Sequence, residues 1–251
     1  MTERRFNMIG IGTIVNTLAV IAGSTIGIIA KKGLSERFQD QIMKTLGLAT
    51  MFIGIGCTLQ QMLVITGEGK LSTSGIMMMI ISLVIGSIVG EFLRIEDKLE
   101  EIGERMKKTK LFGGETKFTE GFVTATLVVC VGAMAIVGSL RDGLEGDPSL
   151  LFSKSILDFI STMIFASTLG IGVLCSAIPM AIYQGLITVL AGVIGEYLTE
   201  QIISDMSLVG SVMIFAVGIN LFFGKKVKVG NMLPALLVPV IYGIFMMFTG
   251  K

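Results

Sequence analysis

Histidine is absent from the 251-residue chain, and charge of either sign is scarce. Without histidine the commonest general base and the commonest transition-metal ligand are gone, so most catalytic schemes and most zinc or iron sites lose their usual residues. Asp, Glu, Lys and Arg make up 16% of the chain, against about 25% in an ordinary soluble domain. A soluble chain of this length needs a far larger polar surface. The net charge is +1 and no basic helix with interleaved aromatics occurs, so nucleic acid is not an expected partner. Only three cysteines are present. Cys57, Cys130 and Cys175 lie in apolar runs without metal-ligand spacing and read as small buried side chains. No cofactor is expected either: "GIGTIVNTLAVIAG" is glycine-rich but follows no strand, so it is not a nucleotide-binding fingerprint.

What the chain does have is apolar length. Apolar residues make up 52% of it and the mean hydropathy is +0.83. Runs near the roughly 20 residues needed to cross the hydrocarbon core recur throughout, without β-barrel alternation. The reading is an all-α, polytopic membrane helix bundle, multi-pass in the plasma (inner) membrane, with the lipid bilayer as its obligatory partner. Eight spans are expected, at 8–30, 45–65, 75–93, 119–140, 153–175, 179–198, 207–224 and 232–249. They form one integral domain over 1–251. The two arginines before the first run suggest a signal peptide, but Met8 to Ala30 is too long for one and Lys31 and Lys32 close it. The only long polar connector is 94–117. Its Ile95, Leu99, Ile102 and Met106 share a helical face, which predicts a helix lying along the membrane surface.

Fourteen of the 20 Lys and Arg fall in the odd-numbered connectors. By the positive-inside rule these connectors are cytoplasmic and both termini face outward, although Arg4 and Arg5 pull the other way.

The spans also resemble one another. "SLVIGSIVGEFL" (82–93) and "TVLAGVIGEYL" (188–198) each end in Gly-Glu-aromatic-Leu, and "LAVIAGSTIGII" (18–29) is a partial third copy. "VCVGAMAIVGSL" (129–140) aligns with "FAVGINLFFGKK" (215–226), and "EGDPSLL" (145–151) is like "VGNMLPALL" (229–237). Spans 3–5 thus look related to spans 6–8. An offset of three helices predicts an inverted repeat, a recurring plan of secondary transporters. The connector charges agree, since the 3–4 link is basic and its 6–7 counterpart "TEQIISDMS" is acidic. Against this stands the frequency of small-residue spacing wherever membrane helices pack.

The stretch "GSLRDGLEGDPSLLFSKSILD" (138–158) and the later "FASTLGIGVLCSAIPMAIYQG" (165–185) resemble uncharacterised bacterial integral membrane proteins typified by YqgA and YdfK. The resemblance covers essentially the full length and implies membership of a family sometimes described as transport proteins. It supplies no substrate and no functional residues.

The site must therefore come from the residues. Lys154 and Asp158 lie one helical turn apart inside a span. A charge at mid-bilayer costs roughly 2.5–3.5 kcal/mol on insertion scales. Lys154 near the interface can snorkel, whereas the short stem of Asp158 must face the protein interior. The pair is either a functional centre or a structural lock between helices. Asn16, Gln184 and Asn220 also interrupt apolar runs; each alone reads as an interhelical hydrogen bond, and together with Asp158 they suit a proton or a hard cation. "SAIPMAIYQG" suggests a helix broken near Pro179, and Glu91 and Glu196 read as interfacial caps. The acidic loop 141–149 lacks the EF-hand register; Asp147 reads as a cap of span 5 with Pro148 at its start.

The expectation is a transporter of a small solute or ion centred on Asp158, with Lys154 as counter-ion and Asn16, Gln184 and Asn220 as polar lining. No catalytic residues are expected, and the chain is not read as an enzyme. The alternatives are an ion channel using the same groups, and a scaffold or regulator that binds anionic lipid through helix 94–117. Small-residue faces also allow a homodimer.

Overall fold

The computed structural model describes residues 9–31, 33, 35–67, 69–108, 116–130 and 133–249. Arg4, Arg5, Lys32, Lys110 and Gly132, and the side chain of Glu196, lie outside the described residues. The chain is helical nearly throughout. In order come α1 (Ile11–Lys31), α2 (Glu36–Met62), a small antiparallel hairpin of β1 (Leu63–Ile65) and β2 (Leu71–Thr73), and α3 (Ile76–Leu93). Then follow α4 (Ile95–Lys107), α5 (Phe118–Cys130), α6 (Ala133–Leu144), α7 (Ser149–Leu169), α8 (Gly172–Cys175) and α9 (Ala177–Ile194). The last are α10 (Glu200–Phe223), a 3₁₀ segment (Val229–Leu236) and α11 (Leu237–Thr249).

Seven stretches are long and apolar enough to cross a membrane, and α5 with α6 makes an eighth whose two halves are inclined by 59°. Helix directions show that this bent pair does cross. Gly12 of α1 faces Leu151 of α7, Gly23 faces Phe159 and Gly27 faces Met163, so α1 and α7 run parallel. Parallel spans need an odd number of crossings between them, and α2 and α3 supply only two. The antiparallel contacts agree: Gly47 and Gly54 of α2 meet Phe222 and Phe215 of α10, and Gly86 and Gly90 of α3 meet Ala235 and Asn231. The eight-span layout places all odd connectors on one face, here called the basic face.

The distribution of side chains is inverted relative to a soluble domain. Phe52, Phe92, Val189, Ile241 and Phe248 point outward, where lipid tails are as apolar as they are. Asn16, Asp142, Lys154, Asp158, Thr162, Gln184 and Glu96 are buried instead. Small residues hold the helices together. A Cβ at Gly23 or Gly27 would overlap the carbonyl oxygens of Phe159 and Met163, and one at Gly54 would stand 2.6 Å from the Phe215 nitrogen. The glycines that relate spans 3 and 6 in sequence have different tasks. Gly86 is pressed against Ala235, whereas a Cβ at its counterpart Gly192 would meet nothing within 4 Å among the described residues.

Three expectations of detail change. Pro179 does not break its helix, because it sits in the first turn of α9, where the missing N–H costs nothing; the chain turns earlier, at Gly170 with φ 79°. The acidic "loop" 141–149 begins inside α6, so Asp142 is helical and buried. Helix α4 does form, but it docks on the bundle: Met106 packs with Phe118 and Phe122, and Glu96 and Gly103 are buried.

Candidate functional site

Asp158 stands at the middle of α7, and both it and Lys154 are only 6% exposed. The Lys154 ammonium donates to Asp158 Oδ2. Lys154 therefore does not snorkel to the interface; its stem folds along its own helix toward the carboxylate one turn on. Asn16 of α1 donates through Nδ2 to the same Asp158 oxygen at 2.9 Å and to Gln184 Oε1 of α9 at 3.2 Å. Asn16 and Gln184 are fully buried. Parallel packing of α1 on α7, made close by Gly23 and Gly27, sets the register that brings Asn16 to Asp158. Four of the five residues expected from sequence thus meet in one cluster.

The cluster extends along α1. One turn before Asn16, the Gly12 N–H at the start of the helix donates to Asp142 Oδ2 at 3.1 Å. A carboxylate there suits the positive end of the helix dipole. Thr13 and Thr188 are 3.4 Å apart, hydroxyl to hydroxyl, one turn from Asn16 and Gln184. Asp142 is a member that sequence reasoning missed. Its place two residues past Leu140, the apolar end of the expected span, was the available signal, but the run of acidic and glycine residues read as a loop.

Several of these groups are left incomplete. Asn16 Oδ1, Gln184 Nε2, Asp142 Oδ1 and Ser139 Oγ are buried and find no hydrogen-bond partner among the described residues. Each unmatched group costs about 1–3 kcal/mol, so the cluster is not arranged for stability. The broken span lies alongside: α6 packs on α7 and α9, and its Asp142 reaches Gly12 of α1. Helix ends at mid-membrane are tolerated where they line a cavity rather than lipid.

Asn220 is not part of this centre. Its Oδ1 accepts from the N–H groups of Lys226 and Val227 at 2.8 and 2.9 Å, and its Nδ2 donates to the Val227 carbonyl. The amide closes the turn after α10, because three backbone groups released at the helix end need a partner there. Glu91, expected as a cap, binds Lys228 and Asn231 across the junction instead. Asp147 does accept from the N–H of Ser149, fixing the start of α7, with Pro148 one position before the helix.

A second buried polar cluster lies at the basic face, where α3, α4 and the 3₁₀ segment join. Glu96 Oε2 accepts from the Gly230 N–H at 2.8 Å, and the Glu96 N–H donates to Asn231 Oδ1 at 2.7 Å. Lys225 bridges Glu96, at 2.8 Å, and Glu100. Partial burial pulls the Lys225 pKa down, but the hydrogen bonds to Glu100 and Glu96 outweigh it and hold the ammonium above its usual value. The bond to Glu91 raises Lys228 likewise, and the bond from Thr119 holds Glu104 below the usual carboxylate range. Glu96, Glu100, Glu120, Lys225 and Asn220 border a cavity of about 450 Å³. No group of three or more metal-ligating side chains occurs among the described residues.

The molecule is thus a polytopic helical membrane protein with a buried ion pair midway along one span and unmatched polar atoms on the residues around it. The chain belongs to a family described as a protein of unknown function (DUF554), which matches residues 11–244. It is similar to the uncharacterized membrane protein YdfK of Bacillus subtilis strain 168, with 32% identity over 228 residues covering 91% of this chain and 93% of that protein. It is also similar to the uncharacterized protein YqgA of Escherichia coli K12, with 31% identity over 234 residues covering 91% and 94%. No solved structure matches the chain.

Proposed function

We propose that this protein is a secondary transporter of a small solute, with Asp158, Lys154, Asn16 and Gln184 as its central binding groups. The observation that carries the reading is the set of unmatched atoms around a buried ion pair. Native interiors satisfy nearly all buried polar groups, and exceptions concentrate where a ligand or reaction completes them. Ionisable residues inside a membrane bundle mark solute or ion paths by default. A span broken at the depth of its binding groups is a familiar transporter feature.

In this mechanism the ligand competes for the partners that Asp158 and Lys154 now give each other. The centre is locked while they are paired and open to exchange while the ligand holds them. The opposite insertion of spans 3–5 and 6–8 belongs to the same proposal, supported by their glycine register and connector charges. The cytoplasmic assignment of the basic face rests on the positive-inside rule.

Reconstituted flux tests the reading. Asp158→Asn keeps the side chain's size and removes its charge, and it should reduce flux to the level of empty liposomes. A solute that moves equally well through wild type and Asp158→Asn removes Asp158 from the mechanism. Turnover far above carrier rates, still abolished in Asp158→Asn, identifies a channel instead.

A further inference from the structure

Beside the polar centre lies a second cavity, of about 660 Å³. Its walls are almost wholly apolar, among them Ile136 of α6, Pro179 and Tyr183 of α9, and Leu233, Leu237 and Val240 around the last span. One polar group on the wall is unmatched: Thr126 is 8% exposed and its Oγ1 has no partner among the described residues. Cys130 lines the same cavity, as do Tyr183 and Ile187 of α9, whose chain neighbours Gln184 and Thr188 belong to the polar centre. The apolar cavity and the polar centre therefore lie on adjacent faces of α9.

We propose that they are two parts of one site, for a small zwitterion carrying an apolar body, of which an apolar amino acid is the simplest example. This rests on the transporter reading and names its substrate class. The head-group chemistry follows from the atoms present. Asn16 Oδ1 and Asp142 Oδ1 need donors, and Gln184 Nε2 needs an acceptor. Asp158 and Lys154 offer one charge of each sign. A simple cation bound to Asp158 would strand the Lys154 ammonium in a buried site, and a simple anion would strand the Asp158 carboxylate. A buried charge stripped of its partner is strongly unfavourable. A zwitterion replaces both halves of the pair at once and leaves neither unmatched.

The body follows from the walls. An inorganic ion or a sugar would lose its hydration in the cavity and find almost nothing to hydrogen-bond. Hydrocarbon or an aromatic ring gains by entering, and the volume falls within the usual range for small-molecule sites. The Thr126 hydroxyl supplies one further hydrogen bond on that wall.

Equilibrium binding of radiolabelled L-phenylalanine to the purified full-length protein tests this directly. Saturable binding displaced by L-leucine is expected, with phenethylamine, phenylpropionate and glycine each weaker by about tenfold or more, since a site built for paired polar groups rejects analogues lacking one. Absence of saturable binding, or displacement by the amine or the acid alone as strong as by phenylalanine, overturns the proposal. Leu237→Trp places bulk at the exposed mouth of the cavity and should weaken binding about tenfold, with elution and melting unchanged. Unchanged affinity in that variant moves the ligand out of the cavity and sinks the two-part site. The transport reading fails separately: amino-acid binding with flux insensitive to Asp158→Asn defeats transport through Asp158, whereas Asp158-dependent flux without amino-acid binding defeats only the substrate class.

Discussion

The centre around Asp158 and the junction around Glu96 are both buried, polar and built across three or more segments, yet they are finished differently. At the junction each carboxylate oxygen of Glu96 and each polar side-chain atom of Asn231 has a partner. At the centre Asn16, Gln184 and Asp142 each keep one atom unmatched among the described residues. The junction ties the 3₁₀ segment to α3 and α4 and is complete as it stands. The centre keeps donors and acceptors open, which the transporter proposal assigns to its ligand. Burial of polar groups alone did not separate the two; the account of individual donors and acceptors does.

Substitutions should separate them in the same way. The largest effect is expected from Lys154 and Asp158. Asp158→Leu leaves a buried ammonium alone and should cost about 3–5 kcal/mol, while Lys154→Met with Asp158→Leu should recover most of that loss. Melting in detergent reads both, and a double variant as unstable as the single one would contradict the pairing. Next comes Glu96→Ala, which removes acceptors from Gly230 and Lys225 and should lower stability by about 1.5–3 kcal/mol. Flux per folded molecule should stay near wild type, whereas Asp158→Asn removes it. A Glu96 variant that melts normally but fails to transport would erase the distinction between the two clusters.

Backbone contact gives a smaller and sharper test. In Gly90→Ala the new methyl would overlap the Asn231 carbonyl, and it should cost about 1–3 kcal/mol because neither helix backbone can step aside. In Gly192→Ala the methyl meets open space, and the helix should gain up to about 1 kcal/mol. The smallest effect is alkaline. Lys225 is held above its ordinary value of 10.5, so its contribution is complete below that pH and is lost as pH rises through the higher folded value. Melting should decline there, and the decline should be shallower in Lys225→Met.

Much of the centre was legible because polar residues inside apolar runs have few structural excuses. Asn16, Lys154, Asp158 and Gln184 stood out for that reason, and they do converge. Asn220 met the same criterion and misled, since it lies close enough to the end of α10 to serve the following turn. Asp142 and Glu96 were hidden by the opposite effect, because each sits among other charged or glycine residues that read as solvent-facing. The span count survived because hydropathy depends on length and composition, which a bend does not alter.

The parallel seating of α1 on α7 also bears on how the chain is made. Parallel helices cannot be neighbours in a hairpin, and α2, α3 and the bent span must all be threaded before α7 emerges. At about 5–20 residues per second, Asn16 waits in the nascent protein for several seconds without its carboxylate. Chains released before Ser149 would carry an exposed amide and an open glycine groove, the kind of lesion by which a membrane protease can recognise an unfinished product.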